Sequence, residues 1–115
     1  MPLPKAPNET STGDPCAYPK SEESLLSCRR NEYELAEGEL RKLVATLNGT
    51  YAGEPELLAS FTTAETRWGE FRDAECKLRT FDSREGTAFE SYWLECLTAL
   101  DQERLKALRY MVDHP

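Results

Sequence analysis

Apolar residues recur along this chain at helical spacing. Leu26, Tyr33, Ala36, Leu40, Leu43 and Leu47 follow one another at steps of seven, three, four, three and four. A stripe of near-heptad period predicts a helix whose neighbour lies almost along its axis. Ser21 stands at its head as an N-cap, and Glu22 and Glu23 put negative charge at the positive end of the helix dipole. The helix is expected to end near Asn48-Gly49 or at Gly53. Gly38 interrupts the run at a cost of about 1 kcal/mol relative to alanine. It marks either a close helix approach or a tolerated surface position.

Pro55 occupies the place of a first-turn proline, and a second stripe follows through Leu58, Phe61, Ala64, Trp68 and Phe71, with Cys76 further along. The stretch Phe81-Asp82-Ser83-Arg84-Glu85-Gly86 breaks the pattern and reads as a loop. Thr87 and Glu90 have capping-box spacing, and a third helix carries Trp93, Leu97, Leu100, Leu108 and Met111 on one side. No segment alternates apolar and polar residues at strand period. The expected fold is all-α, an antiparallel three-helix bundle over residues 16–113. Five of the seven prolines lie in the first 19 residues, so residues 1–15 read as a mobile leader.

The four cysteines, Cys16, Cys28, Cys76 and Cys96, make no Cys-x-x-Cys pair, and the single histidine, His114, is next to the last residue. No metal site and no cofactor is expected from such a set. An even, widely spaced count in a small chain reads as two disulfides, against the alternative of four reduced, buried thiols. The helix assignment places Cys16 just before the first helix and Cys28 inside it, with Cys76 and Cys96 facing each other across the second hairpin. Bonds 16–28 and 76–96 follow; 16–76 with 28–96 requires the first helix to touch both neighbours at the right heights. Disulfides imply an oxidising compartment, hence a periplasmic or secreted protein whose signal peptide has been removed.

A net charge of −7 disfavours nucleic acid and favours a basic protein as partner. The chain holds no Ser-His-Asp set and no glycine-rich phosphate loop, and most of its acids alternate with Lys and Arg as on solvated helix faces. It does not read as an enzyme. Trp68 and Arg72, one helical turn apart, are expected in the structural core with Phe71, Trp93 and Arg104, each arginine held by a carboxylate from a neighbouring helix. The candidate partner-binding surface is the 81–86 loop, with Phe81, Asp82, Arg84 and Glu85, against the plainer reading of an ordinary helix–helix connection. The turn around Asn48–Glu54, with Glu54, is the second candidate.

These residues also form a familiar skeleton: Cys16, Cys28, Tyr33, Ala36 and Leu40, then Ala64, Trp68 and Phe71-Arg72-Asp73 leading to Cys76, then Gly86-Thr87, Cys96, Arg104 and Leu108. The chain resembles the LprI-type lysozyme-inhibitor family, small disulfide-containing helical domains of the bacterial envelope. It departs from the family pattern at Glu37-Gly38-Glu39-Leu40-Arg41, where Asp-x-x-Leu-Asn is usual. Glu65 stands in place of a Gln and Asp101 in place of a Thr. The resemblance implies an envelope protein that binds and blocks lysozyme. An immunity protein against a toxin delivered into the envelope, or an envelope assembly factor, are the alternative roles for such a domain.

Overall fold

The computed structural model describes residues 14–115 and contains three long α-helices: α1 (Glu22–Tyr51), α2 (Pro55–Arg79) and α3 (Phe89–Asp113). A single 3-10 turn, Phe81–Ser83, lies between α2 and α3. Among the described residues there is no strand. Ser21 caps α1 as its type predicts, its hydroxyl accepting the Ser24 amide at 3.0 Å. The helix runs through Asn48-Gly49 and stops at Tyr51, whose carbonyl accepts the Glu54 amide at 2.9 Å in the turn that leads to Pro55; the Tyr51 side chain is buried and packs edge-on against Phe61 with ring centroids 5.6 Å apart. A Cβ at Gly38 would meet only the end of the Arg41 side chain, at 3.7 Å, so that glycine marks no close approach.

The expected capping box at the start of α3 does not form. The Phe89 amide donates to the Gly86 carbonyl at 3.3 Å, which keeps Thr87 and Ala88 in a turn. Ala88 then occupies the cap position, and no side chain caps the helix.

The three helices run up, down and up, so α1 and α3 lie parallel and α2 runs against both. Arg30 meets Glu90 at 2.9 Å near the start of both helices and Glu39 meets Arg109 at 3.1 Å further along each, as a parallel pair requires. That pair supplies most of the core: Ala36, Leu40, Leu47 and Tyr51 of α1 against Leu105 and Leu108 of α3, with Phe61 from α2. A second cluster gathers Cys76, Cys96 and Leu97, flanked by Tyr33, Trp93 and Leu100. α2 buries only Phe61 and Cys76 along its 25 residues. The molecule measures 51 × 38 × 18 Å. It is about twice as wide as it is thick, so the bundle is flattened, with α2 at its margin.

Both disulfides close as 16–28 and 76–96, with Cα atoms 5.7 Å apart in each. The first folds the chain before α1 back onto that helix. Asp14 is held there, its carboxylate accepting the Cys16 amide at 2.8 Å and pairing with Arg29 at 2.9 Å. The expected leader therefore gives way to defined structure by residue 14, and its remainder, 1–13, lies outside the described residues.

Candidate protein-binding surfaces

The tip between α2 and α3 is built from its anchor outward. Cys76 is fully buried, and its carbonyl accepts the Thr80 hydroxyl at 2.7 Å. The Thr80 carbonyl in turn accepts the Ser83 amide at 3.0 Å and the Ser83 hydroxyl at 3.1 Å, and the Gly86 amide donates to Ser83 at 2.9 Å. These bonds close successive tight turns directly above the Cys76–Cys96 disulfide. Phe81 is 55% exposed at the apex. The Arg84 guanidinium lies over its ring at 3.8 Å and donates to its carbonyl at 2.7 Å. Asp82 and Glu85 are exposed and make no ion pair among the described residues. The tip thus presents an aromatic ring, a stacked cation and two uncompensated carboxylates on a short, braced turn. An arrangement of that kind loses little conformational freedom on binding.

Glu54 is also exposed, but it sits at the start of α2 and the tip at its end. A helix of 25 residues places them about 37 Å apart. The two candidate loops are therefore at opposite ends of the molecule and do not form one site.

A second feature lies between α1 and α2, where the two helices diverge. Leu40, Val44 and Ala45 of α1 and Trp68 and Gly69 of α2 line an open groove of about 470 Å³. Polar side chains form one wall of it. Arg72 donates to Glu37 of α1 at 2.8 Å and to Asp101 of α3 at 3.0 Å, so one guanidinium ties all three helices together. Arg104 of α3 donates through Nε to Glu65 of α2 at 2.9 Å. Both arginines approach the Trp68 ring, at 5.3 Å for Arg72 and 6.0 Å for Arg104. Trp68 is half-buried between these cations and the main core. Trp93 stacks on Phe89 at 6.0 Å and packs on the 76–96 disulfide.

Phe71 does not join the core. At about 100° per residue it lies roughly 95° from the centre of the face carrying Phe61, Trp68, Arg72 and Cys76. It is 53% exposed. The residue that takes a core position unexpectedly is Asp101, with no exposed surface. Its position on the α3 stripe, four residues from both Leu97 and Leu105, is the signal that would have found it. One oxygen accepts from Arg72, while Oδ2 has no partner. Burial pushes the Asp101 carboxyl up to about 7, the neighbouring Glu37 adds to the rise, and Arg72 opposes it. Burial works against the Arg72 charge, but the hydrogen bond and the charge of Asp101, together with the Asp73 hydrogen bond, outweigh it and hold the guanidinium above its ordinary value.

A cluster of potential metal donors, Asp14, Cys16 and Glu32, is already committed. The Cys16 sulfur is in a disulfide, and both carboxylates pair with Arg29.

The family model described as lysozyme inhibitor LprI matches residues 16–108. An uncharacterized protein of Rhizobium meliloti (strain 1021) is 28% identical over 123 aligned positions, covering 94% of this chain and 86% of that protein. A crystal structure of a DUF1311 family protein from Pseudomonas putida KT2440 superposes with a TM-score of 0.69 at 24% identity. It covers 87% of this chain and 99% of that one, and it shares the fold.

Proposed function

Because the chain belongs to the lysozyme inhibitor LprI family, we propose that it is a protein-binding inhibitor of a lysozyme-like cell-wall hydrolase, acting in the periplasm or outside the cell. Two disulfides and no free cysteine suit an oxidising compartment. No helix among the described residues is long and apolar enough to cross a membrane. The observation that carries the reading is the braced tip with two carboxylates, Asp82 and Glu85, that make no ion pair among the described residues, beside an exposed Phe81. A hydrolase that cleaves an anionic or neutral polymer in a basic cleft offers a complementary site. The tip enters it as a rigid wedge, with the aromatic ring as apolar anchor and the carboxylates setting orientation.

Inhibition by this route is purely steric and electrostatic. All four sulfurs are in disulfides, so no thiol is available for a covalent step. The test is the rate of cell-wall lysis by a basic lysozyme titrated with the protein. The native chain is expected to inhibit stoichiometrically. The Asp82→Lys/Glu85→Lys variant is expected to associate at least tenfold more slowly with an unchanged melting temperature. Full inhibition by that variant would take the tip out of the mechanism, and an uninhibited enzyme would overturn the reading itself.

A further inference from the structure

α2 has apolar residues on two sides, and the core uses only one. On the adjoining face Leu57, Ala64, Phe71 and Leu78 follow at intervals of seven residues. They are exposed: 41% for Leu57, 53% for Phe71 and 71% for Leu78, with Ala64 also at the surface. Seven residues is two helical turns, so the four side chains form a single seam along the helix. An apolar seam of this period, on a helix that buries just two residues in its own fold, is the pattern by which one helix packs along another.

We infer that this seam is a dimer interface, in which α2 pairs antiparallel with α2 of a second copy of the chain. Two features select a second copy. The first is shape. A two-fold axis beside Arg67 and Trp68 sets Leu57 level with Leu78 of the second copy, and Ala64 level with Phe71. The largest residue of the seam then meets the smallest, twice, and the two leucine pairs close the ends. A parallel pairing would instead set Phe71 against Phe71 and Ala64 against Ala64, crowding one level and leaving another empty.

The second feature is charge. α2 carries five acidic and four basic side chains, a balance of −1 in a chain of −7, so self-repulsion is weakest along this helix. Arg67 and Glu70 pair at 3.5 Å on the solvent side of the seam. The two-fold brings that pair beside its own copy, where each arginine reaches both glutamates. At the ends, Arg79 of one chain comes level with the region of Glu54 of the other. Two helices of this length bury a surface near the lower bound of about 1,200 Å² for specific association. The dimer is therefore expected to dissociate on dilution.

Sedimentation equilibrium on the disulfide-intact chain, over about 1 to 500 µM, is expected to show a concentration-dependent dimer. Phe71→Glu should shift its dissociation constant upward by at least a hundredfold, whereas Leu35→Glu, at an equally exposed apolar site on α1, should leave it unchanged. Circular dichroism melting confirms that both variants fold. The register is read by cysteine pairing under oxidising conditions. The double variant Leu57→Cys/Leu78→Cys should give a covalent dimer, and neither single variant should. A monomer at all concentrations would overturn the inference, as would a dimer indifferent to Phe71→Glu. Cross-linking by Leu57→Cys alone would overturn the antiparallel arrangement. A monomer that loses hydrolase inhibition on Phe71→Glu would assign the seam to that partner instead.

Discussion

Asp101 sits where an aliphatic side chain would normally complete the α3 stripe, and it brings a titratable group into the centre of the molecule. Its carboxyl is raised to about 7 by burial, against an ordinary 3.8. The folded state therefore binds a proton more tightly than the unfolded chain, and this group's contribution to stability is full below about pH 4 and is lost as pH rises to about 7. The native chain should lose melting temperature across that window relative to Asp101→Asn, whose amide cannot titrate. Differential scanning calorimetry of both proteins from pH 4 to 8 checks this, and parallel curves would contradict it. Trp68 is bounded by two guanidinium groups on one side and the core on the other, so Trp68→Ala removes both packing and cation–π contacts. Its expected cost is about 3 kcal/mol, at the low end for a large aromatic because the ring is only half-buried. Leu105→Ala, at a fully buried site between α1 and α3, should cost about as much, whereas Phe71→Ala should stay within about 0.5 kcal/mol under dilute conditions. Urea unfolding of the three variants at micromolar concentration measures these differences.

At the level of the elements, α1 and α3 form a continuous pair and α2 is attached to it at a few places: Phe61 at one end, the Arg72 and Arg104 ion pairs in the middle, and the Cys76–Cys96 disulfide at the other end. The disulfide closes a loop whose removal from the unfolded ensemble is worth about 3 kcal/mol in the chain-entropy model. Because α2 has little other burial, the effect should be local. Cys76→Ser/Cys96→Ser is expected to accelerate amide hydrogen exchange throughout the second half of α2 and the 80–88 turn, with α1 and the last turns of α3 far less affected. Uniform acceleration along all three helices would show instead that the bundle opens as one unit. The same weak attachment explains the groove beside Trp68: two helices that diverge leave space between them, and the three-helix arginine spans it.

For the whole molecule, the charge of −7 is distributed over every helix, while the tip adds Asp82 and Glu85 against the single cation of Arg84. A basic partner is attracted from beyond contact range, and the tip gives that attraction a direction. Raising salt from about 0.05 to 0.5 M should slow association with a basic hydrolase several-fold more than it speeds dissociation, since screening acts mainly on the approach. Stopped-flow mixing at a series of salt concentrations measures both rates. An association rate indifferent to salt would mean that recognition is apolar and points to a helix face.

The sequence by itself determined the three helices, their order and the compartment chemistry. Those properties depend on periodicity, caps and cysteine count, which are local or additive along the chain. It also placed the disulfides correctly, because a hairpin connection at 81–86 brings Cys76 and Cys96 to one height. The packing of the second helix was decided by the tertiary structure. An apolar residue at helical spacing shows that a face exists but not which face meets the core, and α2 has two. Thus Phe71 reads as core in sequence and stands in solvent, while Asp101 reads as surface and lies buried. The capping box failed for a related reason: spacing identified Thr87 and Glu90, but the turn at Gly86–Phe89 set where the helix begins. Linking Arg72 to carboxylates on both other helices required the register of all three at once, a long-range relation that no local pattern carries.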